Sequence, residues 1–578
     1  MTSSVGDTAT AEKAASSHFR QLLAGAARHR QLLLAAALAG LLVAAHGPSL
    51  LAHVQHSNSR WSYADDARMW LSPLFADEDA SLFPGDPIVA YVRDNEPVGF
   101  RLLYRIFGAF LGVGVFSKVL PYALLVVVLG SLASATQRLG SRAAVPVALS
   151  LALGSEYLLG RMAGGLPRAF ALPLLAAGAA CLVHGRARGL ALVSVLAAGL
   201  YPVVAPTLVA AFALLMLLPA EDRGGASGWS WRVRIAAVAA VAMVAALVVV
   251  PGLVSVRGWG TTITAAMSER YPELGPGGRL YPDDRPPFPM LPAAVLKALA
   301  LGLTGAGKPF LGTGPLASRA AAVLPFLFLA GAAGLLLLAR KSQEARRFLI
   351  LPIAIVISHS LSLLLYPRLY NPERHVAYGA VVVGMIAIPS AVGAFVREGK
   401  GLRSWLPLAW GLVVLALIGG HGSKTAGLSV MIQPPDREFF RRVRELPTDA
   451  LVAGWPGEDM DNLPYLSKRS VFVSRETHLP WHTRYTDLMR ERTFALIDAY
   501  YATSVLPLKT LRDKYGVTHL LLDRRNYTTR ASYFAPFDRR ATDAFRAGSA
   551  RSFAALESAR RAAVFELEGR VLLDLSRL

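Results

Sequence analysis

Long apolar runs that recur along most of the chain constrain its fold more than any other feature of the sequence. A helix that crosses the hydrocarbon core of a bilayer needs about 20 predominantly apolar residues, and about eleven runs approach that length. We expect spans near residues 31–51, 117–136, 144–160, 169–183, 189–203, 205–219, 235–255, 320–339, 348–365, 376–395 and 405–420. The stretch 99–115 contains Arg101 and Arg105, so an interfacial helix is the better interpretation there.

The composition agrees with a polytopic α-helical membrane protein. Of the 578 residues, 53% are hydrophobic and 17% are charged, whereas about a quarter of the residues of a soluble domain are charged. The net charge of +21 is better explained by basic residues that flank membrane helices than by nucleic-acid binding. The single cysteine, Cys181, excludes an internal disulfide and a CxxC-type metal site.

The basic residues are concentrated in alternate loops, which predicts the orientation of the chain. If the N-terminus is cytoplasmic, every cytoplasmic loop is basic; the residues are Arg138, Arg142, Arg186, Arg188, Arg223, Arg232, Arg234, Arg340, Lys341, Arg346, Arg347, Arg397, Lys400 and Arg403. We therefore expect a multi-pass protein of the cell (inner) membrane. Its parts are a cytoplasmic tail at 1–30, a transmembrane module at 31–420 with outer loops 52–116 and 256–319, and an extracytoplasmic domain at 421–578.

The pattern of residues 421–578 is typical of an α/β domain. A helix is expected over 435–446, and buried strands over 450–456 and 470–474. The sequence "LKTLRDKYG" followed by "VTHLLLD" predicts a helix that stops at a glycine and then a strand. The last segment predicts a hairpin that turns at Gly569.

Two short outer loops carry arginine, which is unusual outside the cytoplasmic face. The loop "GRMAGGLPRAF" contains Arg161 and Arg168, and "YPRLYNPERHVAY" contains Arg368, Arg374 and His375. Guanidinium groups bind phosphate bidentately and stay charged at any working pH. These loops therefore predict a phosphate site, with contacts to ordinary lipid headgroups as the alternative.

A pair of carboxylates, Asp65 and Asp66, follows the first apolar run in "WSYADDARMW". Together with the arginines, this pair favours transfer of a sugar from a lipid phosphate at the outer leaflet. The departing phosphate needs positive charge to stabilise it, and the acceptor hydroxyl needs a carboxylate to take its proton. A single displacement of this kind inverts the anomeric centre.

At this point the chain resembles the GT-C glycosyltransferases, which are polytopic and use polyprenyl-phosphate sugars. In that family the catalytic or metal-binding acid lies in the first extracytoplasmic loop, where "YADDARMW" stands here, and many members end in an outer soluble domain. The resemblance covers the order of helices, the first-loop acids and the terminal domain. It implies a polyprenyl-phosphate-linked sugar as donor, membrane lipids as surroundings, and a glycan, lipid or protein as acceptor.

The two aspartates are expected to differ in role, because adjacent residues on a helix point about 100° apart. Asp66 is placed to cap a helix that begins at "ARMWLSPLF" or to support its neighbour, which leaves Asp65 as the base. A divalent metal, Mg²⁺ or Mn²⁺, bridging this pair to a distant acid is an alternative use of the same carboxylates.

Further residues are candidates for contacting the acceptor or for supporting the site. Asp283 and Asp284 stand between prolines, which favours a turn or a loop that closes over the acceptor. Glu156, beside Tyr157 near the outer end of an apolar helix, predicts either a site or an ion pair with Arg161.

In the terminal domain, Trp481 and His482 follow a strand and are candidates for an acceptor groove, with ordinary domain packing as the alternative. Two other function classes remain open from the sequence. A transporter or flippase of a lipid-linked sugar would also use short, broken helices. A non-catalytic cell-envelope assembly protein would use the terminal domain to bind a partner.

Overall fold

The structure, a computed structural model, describes most of the membrane-associated region and of the terminal domain. The described residues are 59–64, 66–153, 155–264, 269–279, 333–340, 342–365, 372–397, 436–549 and 552–578, with scattered positions between 36 and 55 and the isolated positions 267, 431, 432 and 434. The predicted spans 31–51 and 320–339 lie partly outside these residues, and the predicted span 405–420 lies wholly outside them.

The first outer loop folds into a short strand and four helices. They are β1 (Tyr63–Ala64), α1 (Ala67–Trp70), α2 (Ser72–Glu78), α3 (Pro87–Asn95) and α4 (Val98–Leu111). Helix α3 begins where the Asp86 carboxylate accepts from the backbone N–H groups of Ile88 and Val89, at 2.8 and 3.3 Å. Helix α4 confirms the helix predicted at 99–115; it buries Phe100 and Tyr104 and exposes apolar side chains on its other face.

The apolar region forms ten further helices in the described residues. They are α5 (Val113–Leu139), α6 (Val145–Leu153), α7 (Glu156–Met162), α8 (Ala171–Val183), α9 (Ala187–Leu200), α10 (Ala205–Leu217), α11 (Trp231–Ser255), α12 (Gln343–Phe348), α13 (Ile350–Leu364) and α14 (Pro372–Arg397). Residues 333–340 are also helical.

Four helical segments among the described residues are long and apolar enough to cross a membrane. They are Val113–Leu139, Trp231–Trp259, Gln343–Leu364 and Pro372–Ala391. Three shorter apolar helices, Pro167–Val183, Ala187–Leu200 and Pro202–Leu217, lie among them. The chain is therefore a helical, membrane-type protein, but the predicted count of about eleven spans is not confirmed.

The run predicted as one span at 144–160 is two helices, α6 and α7. The second helix starts afresh because the Ser155 hydroxyl accepts from the backbone N–H of Leu158 at 3.2 Å. This bond caps α7 and satisfies a donor that a continuous helix would have used within its own backbone.

The basic loops meet at one end of the helix bundle. Arg138, at the end of α5, contacts Glu344 at 2.8 Å, and Arg346 donates two hydrogen bonds of 2.8 Å to Asp222. The turn after α8 packs against the turn after α10, since a Cβ on Gly224 would lie 2.5 Å from the Gly185 Cα. Loops that the charge pattern assigned to one face therefore lie together.

The terminal domain is an α/β unit, as predicted. Its helices are α15 (Arg437–Arg444), α16 (Glu458–Leu466), α17 (Thr483–Tyr500), α18 (Leu506–Tyr515), α19 (Arg525–Thr528), α20 (Phe537–Ser549) and α21 (Ala554–Ala562). Its strands are β3 (Leu451–Gly454), β4 (Ser470–Val471), β5 (His519–Asp523), β6 (Ala563–Leu567) and β7 (Arg570–Asp574). The sheet order is β4-β3-β5-β7-β6, with β3 parallel to β4 and β5 and the last two pairings antiparallel.

Glycines end the helix and turn the hairpin where the sequence predicted. Helix α18 stops at Gly516, which adopts the left-handed conformation (φ 71°). The β6–β7 hairpin turns through Glu568 and Gly569, both with positive φ.

The terminal domain is tied to the first outer loop. Strand β2 (Met431–Ile432) pairs antiparallel with β1, with Tyr63 opposite Ile432. The Tyr91 ring stacks on Tyr485 with centroids 3.5 Å apart, and its hydroxyl lies 2.9 Å from His482 Nδ1. These contacts place the domain at the end of the bundle opposite the basic loops.

The two ends can be assigned to compartments with single cysteines, because Cys181→Ala removes the native thiol. In that background, Ser227→Cys lies among the basic loops and Asp449→Cys lies on the terminal domain. We expect a membrane-impermeant maleimide added to intact cells to label Asp449→Cys and to leave Ser227→Cys unlabelled until the membrane is opened. Labelling of Ser227→Cys in intact cells would contradict the cytoplasmic assignment of the basic loops.

Candidate functional site

An ion pair joins the first outer loop to the loop between α7 and α8. The Asp66 carboxylate Oδ2 accepts a hydrogen bond from Arg168 Nη1. Asp66 holds the N-cap position of α1, but its side chain makes no capping hydrogen bond. The predicted capping role is therefore wrong, because a charged guanidinium is a stronger partner for the carboxylate than a backbone N–H group.

Two glycines bring Arg168 to this position. Gly164 (φ 78°) and Gly165 (φ 61°) occupy a conformation that L side chains rarely adopt. A Cβ on Gly164 would lie 2.7 Å from the Ala64 Cβ, and a Cβ on Gly165 would lie 2.8 Å from the Ser117 carbonyl oxygen. Gly164 therefore lets the arginine loop lie directly against the segment that precedes Asp66, and Gly165 lets it lie against α5.

The ion pair is partly shielded from solvent and keeps donor capacity. The Asp66 side chain is 27% exposed and the Arg168 side chain is 17% exposed. Arg168 Nε is buried and makes no hydrogen bond among the described residues.

Two other predicted arginines lie beside three tyrosines at the same end of the bundle. The Arg161 guanidinium carbon lies 5.1 Å from the centroid of the Tyr157 ring, and Arg374 Nη1 donates to the Tyr201 hydroxyl at 3.2 Å. Tyr378 lies between, with its ring centroid 6.2 Å from Tyr157 and 6.1 Å from Tyr201. Cations and hydroxyls that converge in this way could both contact a phosphate.

His375 does not share this surface. Its side chain is 3% exposed, and its Nδ1 lies 2.9 Å from the Ser358 hydroxyl of helix α13. Glu156 begins α7, but its side chain is outside the described part of the structure. Asp65, Arg368, Asp283 and Asp284 are also outside the described residues.

Trp481 and His482 lie where the terminal domain meets the first outer loop. His482 is buried and contacts Tyr91, and burial lowers its pKa from the usual value, so it is neutral at neutral pH. This environment agrees with domain packing. Trp481 is partly exposed, with its ring centroid 6.5 Å from Trp70 at the end of α1.

A polar group near α1 was missed by sequence reasoning. Asn462 Oδ1 accepts from the Tyr63 hydroxyl at 2.9 Å and from Arg68 Nη1 at 3.3 Å. Arg68 also lies 3.8 Å from Glu476, which binds Arg279 at 3.2 Å. The group joins both outer loops to the terminal domain, and no motif marks it because its members are distant in sequence.

The predicted divalent metal stays a prediction, because Asp65, Asp283 and Asp284 lie outside the described residues. The residues that the structure describes contain no group of three histidine, cysteine, aspartate or glutamate side chains that could hold an ion. Asp66 is engaged by Arg168, whose charge opposes the approach of a cation.

No protein-family model and no curated protein matches the chain. Among solved structures it is similar to the oligosaccharyltransferase of Archaeoglobus fulgidus. The complex with Zn and sulfate is 12% identical (TM-score 0.46), and the match covers 86% of this chain and 68% of that one. The form tethered to an acceptor peptide with the NVT sequon is 13% identical (TM-score 0.47), and the match covers 93% of this chain and 72% of that one.

A third structure is AglB from the same organism in complex with an inhibitory peptide and a dolichol-phosphate. It is 14% identical (TM-score 0.42), and the match covers 93% of this chain and 73% of that one. The identities and TM-scores are low.

The packing of the two loops can be tested at Gly164. We expect Gly164→Ala to destabilise the protein by about 1–2 kcal/mol from the left-handed backbone alone, with more from the contact with Ala64. Thermal unfolding of the purified full chain in detergent measures this. Gly130→Ala is the matched control, because a Cβ there meets nothing within 4 Å and Gly130 lies within helix α5. Equal thermal unfolding midpoints for Gly164→Ala and Gly130→Ala would show that the loops do not pack in this way.

Proposed function

We propose that the chain is a membrane glycosyltransferase that moves a sugar from a polyprenyl-phosphate donor to an extracytoplasmic acceptor, with inversion. The observation that carries this proposal is the Asp66–Arg168 ion pair, which holds the Asp66 carboxylate of the first outer loop beside an arginine loop. The transferred unit is a hexose or a pentose, and the acceptor is a glycan, a lipid or a protein.

The arginines supply the donor side of the reaction. The bond from the anomeric carbon to the phosphate oxygen breaks, and the phosphate leaves with the electron pair. Arg374 and Arg161, beside the tyrosine hydroxyls, stabilise the charge that develops on it. Arg168 extends this positive region toward the first outer loop, and Arg368 is a further member of the set predicted from the sequence.

The carboxylates supply the acceptor side. The acceptor oxygen attacks the anomeric carbon, and its proton passes to Asp65, which acts as the general base. Asp66 is a positioning residue, since its carboxylate accepts a hydrogen bond from Arg168. Trp481 and the Asn462 group lie on the side from which an acceptor held by the terminal domain would approach.

The proposal also assigns each end of the helix bundle to one side of the membrane. The ion pair, the tyrosines and the terminal domain (421–578) face the extracytoplasmic side of the cell membrane. The tail 1–30 and the basic loops of the module 31–420 face the cytoplasm, as the positive-inside pattern requires.

Asp65→Asn separates the two sides of the reaction. With the full chain in nanodiscs and synthetic polyprenyl-phosphate hexoses and pentoses as donors, we expect donor binding to be kept. The transfer rate should fall by about a hundredfold to ten-thousandfold, the usual loss when a general base is removed. Arg374→Glu should show the opposite pattern, because it loses donor binding. Arg374→Lys should keep only part of the donor binding, because lysine keeps the positive charge but cannot make the bidentate contact.

Full transfer by Asp65→Asn would reject Asp65 as the base. Asp66→Asn would be mild if Asp66 only capped α1, because asparagine also caps helices. We expect it to be damaging, because it leaves the Arg168 guanidinium partly buried without its counter-ion.

A further inference from the structure

A second basic region, outside the site above, surrounds a cavity of about 670 Å³ at the outer end of α5. Its wall combines the start of the first outer loop, the first turns of α5 and the α15–α16 region of the terminal domain. The lining residues that matter here are Arg60, Lys118, Arg444, Lys468, Val115 and Val119.

In the part of the chain that the structure describes, the lining of the cavity contains four basic side chains and no acidic one. Among the described residues, Arg60, Lys118, Arg444 and Lys468 form no ion pair within 4.0 Å. Lys118 Nζ donates to the Ser59 carbonyl oxygen at 2.6 Å, which is a neutral acceptor. Like charges crowded in a partly buried space are unfavourable unless an anion joins them.

Lys468 shows this imbalance most clearly. Its ammonium group lies over the Phe75 ring and 5.0 Å from the centroid of Tyr465. Burial, and then repulsion from Arg444, hold the pKa of Lys468 well below its usual range, and Glu78 opposes this shift only in part. A bound anion would offset both unfavourable effects.

An apolar strip leads away from the cavity along α5. Val115, Val119 and Val126 are 54%, 47% and 71% exposed, and their spacing puts them on one face of the helix. Tyr122, which lines the cavity, lies between them in sequence. A free anion would use the cations alone, whereas a lipid would use the cations and the strip.

We propose that this cavity binds the phosphate headgroup of an anionic membrane lipid, whose hydrocarbon chain lies along the valine strip of α5. Lys118 and Lys468 contact the phosphate, with Arg60 and Arg444 at the rim. The site is separate from the arginines assigned to the donor and does not depend on transferase activity.

Native mass spectrometry of the delipidated full chain tests the site. The protein is offered phosphatidylglycerol, zwitterionic phosphatidylcholine or inorganic phosphate. We expect phosphatidylglycerol to be retained over phosphatidylcholine, and inorganic phosphate at the same concentration not to displace it. Lys118→Met with Lys468→Met should weaken retention by about tenfold or more, the loss expected for two cations near an anionic headgroup.

Lys509→Met is the matched control, because Lys509 lies on α18 of the terminal domain and does not line the cavity. Unchanged retention by a double variant that is folded by circular dichroism would overturn the proposal. Displacement by inorganic phosphate would show a free-anion site instead and would also overturn it.

A readout on the unsubstituted protein covers the case in which the double variant does not fold. A photoactivatable phosphatidylglycerol should label peptides from Val113–Leu139 or from residues 444–468 more strongly than peptides from α11. Labelling without this preference would contradict the site. Replacing both lysines by arginine should keep retention, because the charge is kept.

Discussion

The ion pair between Asp66 and Arg168 fixes the outer end of the helix bundle. It links residues that are 102 positions apart, and Gly164 makes the contact feasible by letting one loop lie against the other. Because both side chains are partly buried, loss of one partner costs more than loss of an exposed pair. The position of Asp66 beside Arg168 therefore depends on backbone packing as well as on charge.

The two ends of the bundle differ in chemistry. Ion pairs such as Arg346 with Asp222 hold the basic loops together at one end. At the other end, the β1–β2 pairing and the Tyr91–His482 contact hold the terminal domain against the first outer loop. In the proposed reaction, a lipid-linked donor reaches the arginines from the membrane, and the acceptor arrives from the side of the terminal domain. The valine strip and basic cavity of α5 add a lipid contact at the same boundary.

Local patterns predicted the parts of the fold that depend on local rules. The helix at 99–115, the strands of the terminal domain and the turn at Gly569 follow from periodicity and turn chemistry, and the structure confirms them. The capping role of Asp66 failed because a local rule was overridden by a partner distant in sequence. The break at Ser155 and the role of Asn462 were missed, since a capped helix start inside an apolar run has a weak signal and a tertiary hydrogen bond has none.

A charge exchange at the central ion pair tests this account most directly. Thermal unfolding of the full chain would be compared for Asp66→Arg, Arg168→Asp and the double exchange. If the ion pair joins the two loops, the double variant recovers much of the stability that either single variant loses, a coupling of about 0.5–3 kcal/mol for residues in contact. Losses that simply add would show that Asp66 and Arg168 do not interact, and the account of the outer site would be wrong.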